Sequence, residues 1–90
     1  MNFTVLWKAE AEDELAEIWL KAPDQAVVSR AADQIDADLH TDPWKDSRPR
    51  RGSIRMKCVP PLAVHYQVRE ADGQVLVVQV WRTHRPYEGN

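Results

Sequence analysis

The sequence predicts an α+β domain in the order β-α-α-β-β-β, with a helical hairpin packed on a twisted antiparallel sheet. Three observations predict it. Apolar residues recur at helical spacing twice between Ala9 and Leu39, on either side of a break at Pro23. Three runs rich in alternating or β-branched residues follow Gly52, divided by Pro60-Pro61 and Asp72-Gly73. The chain opens on a short alternating run, Phe3-Thr-Val-Leu-Trp7. Its 90 residues are enough for one modest core and not for two, so residues 1–90 are expected to form a single domain.

The opening strand is predicted from Phe3, Val5 and Trp7 alternating with Thr4 and Leu6. A first helix is predicted over Ala9–Lys21, its stripe made of Ala11, Leu15, Ile18, Trp19 and Ala22. Glu10, Glu12, Asp13 and Glu14 fall where the positive end of the helix dipole favours acids. Pro23 suits the first turn of a second helix, from about residue 24 to about 40, which places Val28, Ala31, Ala32, Ile35 and Leu39 on one stripe. So short a connection implies an antiparallel hairpin. A long irregular segment, His40 to Gly52, follows with two prolines and the cations Lys45, Arg48, Arg50 and Arg51.

Strand signals return at Ser53–Val59, where Ile54, Met56 and Cys58 alternate with Arg55 and Lys57. Cys58 is read here as a small buried hydrophobe, with Arg55 and Lys57 on the outer face. Leu62–Arg69 sets Leu62, Val64, Tyr66 and Val68 against Ala63, His65 and Gln67, and His65 is expected to be packed or hydrogen-bonded. Asp72-Gly73 predicts a tight hairpin. The last strand, Gln74–Trp81, carries four valines at both parities, which predicts a central strand covered on both faces. The three late strands form an antiparallel meander, and the first strand joins their sheet after the helices cross one face.

Composition narrows the function classes. One cysteine permits no internal disulfide, and a reducing, cytoplasmic setting is the expectation. His40, His65 and His84 are far apart and there is no Cys-x-x-Cys, so no metal site is expected. The N-terminal run is too short and too polar for a signal peptide or a membrane span. Net charge is −2, but it is unevenly spread: residues 1–42 hold three cations against ten acids, and residues 43–90 hold nine against four. Such a split is consistent with a polyanionic partner for the basic half, and equally with acidic helices beside a basic sheet.

Hairpin geometry gathers the end of strand 53–59, the start of strand 62–69 and the end of strand 74–82. Lys57, Arg55, Arg82, His84 and Arg85 are therefore expected near one edge, with Arg50 and Arg51 on the loop that feeds it. Clustered cations of this kind suit a phosphate backbone, and Trp44, Tyr66, Trp81 and Tyr87 offer planes for unpaired bases. Trp81 reads first as a core residue. His84 is the candidate for proton transfer, because flanking arginines favour its neutral form.

Several local patterns, in this order, resemble the RelE/ParE superfamily of small toxins from bacterial type II toxin–antitoxin systems, which includes plasmid stabilization proteins. They are Val5-Leu-Trp7 before Ala11-Glu-Asp-Glu-Leu15, Ile35 and Leu39 before Asp42-Pro43, Val64-His-Tyr-Gln-Val68, Val75–Val80, and Arg82-Thr-His-Arg85. The resemblance spans roughly residues 3 to 87 and implies a cytoplasmic toxin held inactive by a cognate antitoxin, as a homodimer or a toxin–antitoxin heterotetramer. For RelE-like members it implies an endoribonuclease acting on mRNA in the ribosome, needing no metal or cofactor. ParE-like members instead inhibit DNA gyrase. Carried onto this chain, the resemblance implies Lys57 or Arg55 at the basic strand position, Arg82 and Arg85 as the late cations and Tyr87 as the C-terminal tyrosine. Joined to His84, Arg50 and Arg51 from the reading of the residues, the candidate catalytic set is Arg82, His84 and Tyr87, and the candidate nucleic-acid contacts are Arg50, Arg51, Arg55, Lys57 and Arg85. One departure stands out. Where the family's pattern has an arginine before the valine–tyrosine motif, this chain has Ala63, a lost cation that weakens the nuclease expectation.

Overall fold

The computed structural model describes residues 2–83; His84, Arg85 and Tyr87 lie outside them. Strand β1 (Thr4–Trp7) leads into α1 (Ala9–Lys21) and α2 (Gln25–Thr41). There follow a short β2 (Arg48–Pro49), then β3 (Ile54–Val59), β4 (Leu62–Arg69) and β5 (Gln74–Arg82). Asp24 starts α2 in the way its residue type predicts, its carboxylate accepting from the N–H groups of Ala26 and Val27 at 3.1 and 3.3 Å. Between β4 and β5 the chain makes a 3-10 turn, Glu70–Asp72, closed by Gly73 at φ 62°. That left-handed conformation is open to glycine at little cost.

The sheet order is β1-β5-β4-β3-β2. β3, β4 and β5 form the expected meander, with Val59 opposite Leu62 and Arg69 opposite Gln74. Two features depart from an all-antiparallel sheet. β1 runs parallel to β5, Thr4 beside Gln74 through Trp7 beside Val77, so the sheet is mixed. The long segment expected to be irregular also contributes β2, antiparallel to β3. The parallel pairing follows from the connection: the α1–α2 hairpin returns the chain to the sheet's far edge, and the antiparallel meander then delivers β5 in β1's own direction.

Both helices pack on one face. Val28, Ala31, Ile35 and Leu39 of α2 form the predicted stripe and meet Leu62, Val64, Tyr66, Val75, Val77 and Val80 in one core with Phe3 and Ala11. In α1 only Ala11 is fully buried; Leu15 and Ile18 are partly so, and Trp19 is exposed at the rim, its indole N–H donating to Ser29 Oγ at 3.1 Å. The expectation that β5 is covered on both faces is corrected. Val75, Val77 and Val80 face the helices, whereas Leu76 and Trp81 are half-buried on the open face beside an exposed Gln79. A register shift between His65 and Tyr66 accounts for the mixed parity, since one extra residue in β5 moves its inward set from odd to even positions.

Candidate functional site

The cations proposed for phosphate contact are spread over three places. Arg55 and Lys57 lie on the helix-facing side of β3, opposite Tyr66 and Val64. That reverses the expected outer placement. Lys57 is only 4% exposed. Its ammonium donates to the Lys45 carbonyl at 3.2 Å and pairs with Asp38 of α2 at 3.5 Å. A lysine survives such burial only with its charge met and its donors used, and both conditions hold here. Arg55 is half-buried, with Nε donating to Ser47 Oγ at 2.9 Å. Cys58, expected inside, is exposed on the open face.

Together these groups strap down the segment 42–47. Tyr66 is buried and its hydroxyl donates to the Pro43 carbonyl. Lys57 takes the Lys45 carbonyl and Arg55 takes Ser47, so three side chains of the sheet fix one short loop. The Trp44 ring stands edge-on to Phe3 with centroids 5.5 Å apart, and Trp44 is 41% exposed. The role these residues perform within the described structure is architectural.

Arg50 and Arg51 form the exposed tip of the β2–β3 hairpin, where Ile54 and the two arginines exchange backbone hydrogen bonds of 2.9 and 3.0 Å. Ile54 sits opposite Gln67, which puts this tip at the Arg69 end of β4. Arg82 sits opposite Leu62, at the other end. The five steps from Leu62 to Gln67 span about 17 Å of extended strand. Arg82 is exposed there beside acids, sharing with Asp13, Glu14 and Glu17 a groove of about 360 Å³ between α1 and β5. Among the described residues, therefore, no three of the proposed cations meet at one point.

The open face carries a different set. Ala63 is buried between Cys58 and Trp81, so the place where an arginine was expected is filled by packed apolar groups. His65 lies next to Trp81, ring centroids 4.6 Å apart at 63°. Gln79 Oε1 is 3.1 Å from His65 Nδ1, which fits a ring protonated at Nδ1. Its Nε2 is buried with no hydrogen-bond partner among the described residues. The packed, hydrogen-bonded histidine that the sequence suggested is what the structure contains. Two contacts had no sequence signal, Asp38 to Lys57 and Glu14 to the Val80 N–H, because each joins segments far apart in the chain.

No group of three or more His, Cys, Asp or Glu side chains among the described residues is disposed to hold a metal ion. Among the described residues, no helix is long and apolar enough to cross a membrane.

The sequence matches no protein-family model and no curated protein. Solved structures match it over nearly their full length. The toxin–antitoxin complex RelBE2 from Mycobacterium tuberculosis superposes with a TM-score of 0.77 at 14% identity, covering 92% of this chain and 93% of that one. The chromosomal ParDE toxin–antitoxin system from P. aeruginosa gives 0.70 at 16%, covering 91% and 97%. The chain has the RelE/ParE toxin fold. The YoeB/ParE toxin from Agrobacterium tumefaciens shares it at 19% identity and a TM-score of 0.65, covering 92% of this chain and all of that one, 100%. On this fold Lys57 is turned inward against Asp38, and Arg50 and Arg51 stand at the opposite end of β4 from Arg82.

Proposed function

We propose that this chain is the toxin of a type II toxin–antitoxin pair, held inactive by a protein antitoxin, and that it acts by binding its target without cleaving RNA. The full-length likeness to toxin–antitoxin complexes supports the first half. The observation that carries the second is the burial of Lys57 against Asp38. A cation that stabilises the transition state of phosphodiester cleavage must reach the phosphate, and this one is committed to the inside of the domain. Ala63 removes a second cation, and Arg50 and Arg51 stand at the opposite end of the sheet from Arg82. DNA gyrase is the target class that the ParE-like alternative names.

The test is induction of the chain, and of an Arg82→Ala/His84→Ala variant, in a bacterial host without the antitoxin. The binding reading expects both to arrest growth, translated mRNAs to stay intact by primer extension, and the purified chain to inhibit supercoiling by gyrase. If the variant folds and still binds the antitoxin but loses toxicity, and mRNA is cut by the parent chain, the assignment moves to a ribonuclease built on Arg82, His84 and Tyr87.

A further inference from the structure

Strand β5 is longer than its neighbour on one side. β1 pairs with Gln74 through Val77, and the Lys8 N–H to the Val77 carbonyl, 2.9 Å, is the last bond of that ladder. β5 continues through Arg82, paired with β4 on its other side as far as Leu62. Beside Val78–Arg82, on the β1 side, no strand lies among the described residues. The Thr83 N–H bonds the Pro61 carbonyl at 2.7 Å, on the β4 side. By strand alternation the N–H and carbonyl of both Arg82 and Val80 then point to the unpaired side.

The protein fills part of that edge itself. The Glu14 carboxylate of α1 accepts the Val80 N–H at 3.0 Å, a side chain standing in for the carbonyl of a neighbouring strand. Around it runs the groove of about 360 Å³, with Asp13, Glu14, Glu17 and Ile18 on the α1 wall and Val80–Arg82 on the other. Its position beside an unfinished ladder suits an added strand, which gains main-chain bonds from the edge and specificity from alternate side chains. The charge of the α1 wall selects the chemistry. Three acids share the groove with two cations, Lys21, which is tied to Glu17 at 3.2 Å, and Arg82 on the opposite wall, so the α1 wall keeps an acidic excess and side chains directed at it are favoured when they are cationic.

We propose that an extended, lysine- or arginine-bearing segment of the antitoxin adds to β5 along Val78–Arg82, displacing Glu14 from the Val80 N–H and setting its cations against Asp13, Glu14 and Glu17. This deepens the toxin–antitoxin reading and rests on it.

The probe is the protein encoded by the adjoining reading frame, co-expressed and purified with this chain. Amide hydrogen exchange is compared by NMR between the free chain and the complex. The Arg82 amide is expected to slow by about tenfold or more in the complex, while the Arg48 and Met56 amides at the opposite edge of the sheet keep their free rates. An Asp13→Lys/Glu17→Lys variant, altered only at exposed positions, is expected to bind at least about tenfold more weakly with an unchanged unfolding midpoint. A complex that forms with no change at Val80 or Arg82 overturns the proposal and leaves the toxin–antitoxin reading intact. Protection of Arg82 already present in the free chain, from its own tail or from a second copy, also overturns it. Absence of any complex overturns both.

Discussion

Lys57 and Asp38 form an ion pair across the boundary between sheet and helices, Nζ to Oδ2 3.5 Å, with the lysine side chain 5% exposed and the aspartate 35%. The pair joins β3 to the last turns of α2 and fixes which face of β3 looks inward. Removing the acid alone strands a buried charge. Asp38→Ala is expected to destabilise the domain by about 1–3 kcal/mol, less than for a fully buried pair because the aspartate reaches solvent. Lys57→Met keeps the volume and removes the charge, and is expected to lie within about 1 kcal/mol of the parent. Urea unfolding midpoints of the two variants decide the matter; equal losses would mean that the pair is not what holds β3.

Tyr66→Phe removes one hydroxyl from the bottom of the core, where it donates to the Pro43 carbonyl. The carbonyl is left without that partner, so the expected cost is about 1–2 kcal/mol. Because Pro43 precedes Trp44, which rests on Phe3, the same variant is expected to shift tryptophan emission to longer wavelength before global unfolding.

Arg50 and Arg51 are exposed at a hairpin tip and contribute little to the fold. Reversing both to Glu is expected to move stability by no more than about 0.5 kcal/mol. If the tip meets an anionic target, association slows and loses part of its dependence on salt, while antitoxin affinity is unchanged. Stopped-flow or surface-binding rates at two ionic strengths provide the measurement.

Cys58 is expected to react with Ellman's reagent in native buffer, without unfolding, because it is exposed on the open face. A thiol that reacts only in denaturant would return Cys58 to the interior and, by strand alternation, turn Lys57 outward.

Gly73→Ala places a Cβ in open space but at φ 62°. With no clash to relieve, the cost is the backbone term alone, about 1 kcal/mol. A loss several times larger would mean that the β4–β5 turn depends on more than backbone freedom.

The sequence by itself determined both helices, four of the five strands and most of their boundaries, but not the short β2. Periodicity of 3.6 and of 2 reports which residues share a face, and Asp24, Pro23 and Gly73 report where one period gives way to another. It also determined the inner sets of α2 and β4, where Val28, Ala31, Ile35 and Leu39, and Leu62, Val64 and Tyr66, each fall on one face and are buried. Tertiary structure alone decided β3. Ile54, Met56 and Cys58 are apolar and alternate with two cations, so the pattern favours the apolar set inside, yet Lys57 is the residue buried. Asp38, the Lys45 carbonyl and Ser47 reverse the preference by meeting those cations from distant segments, and no local pattern encodes a partner brought by folding. The dispersal of the expected phosphate site has the same origin. Register sets Arg50 and Arg51 at one end of β4 and Arg82 at the other, and register is a property of the paired strands rather than of any one of them.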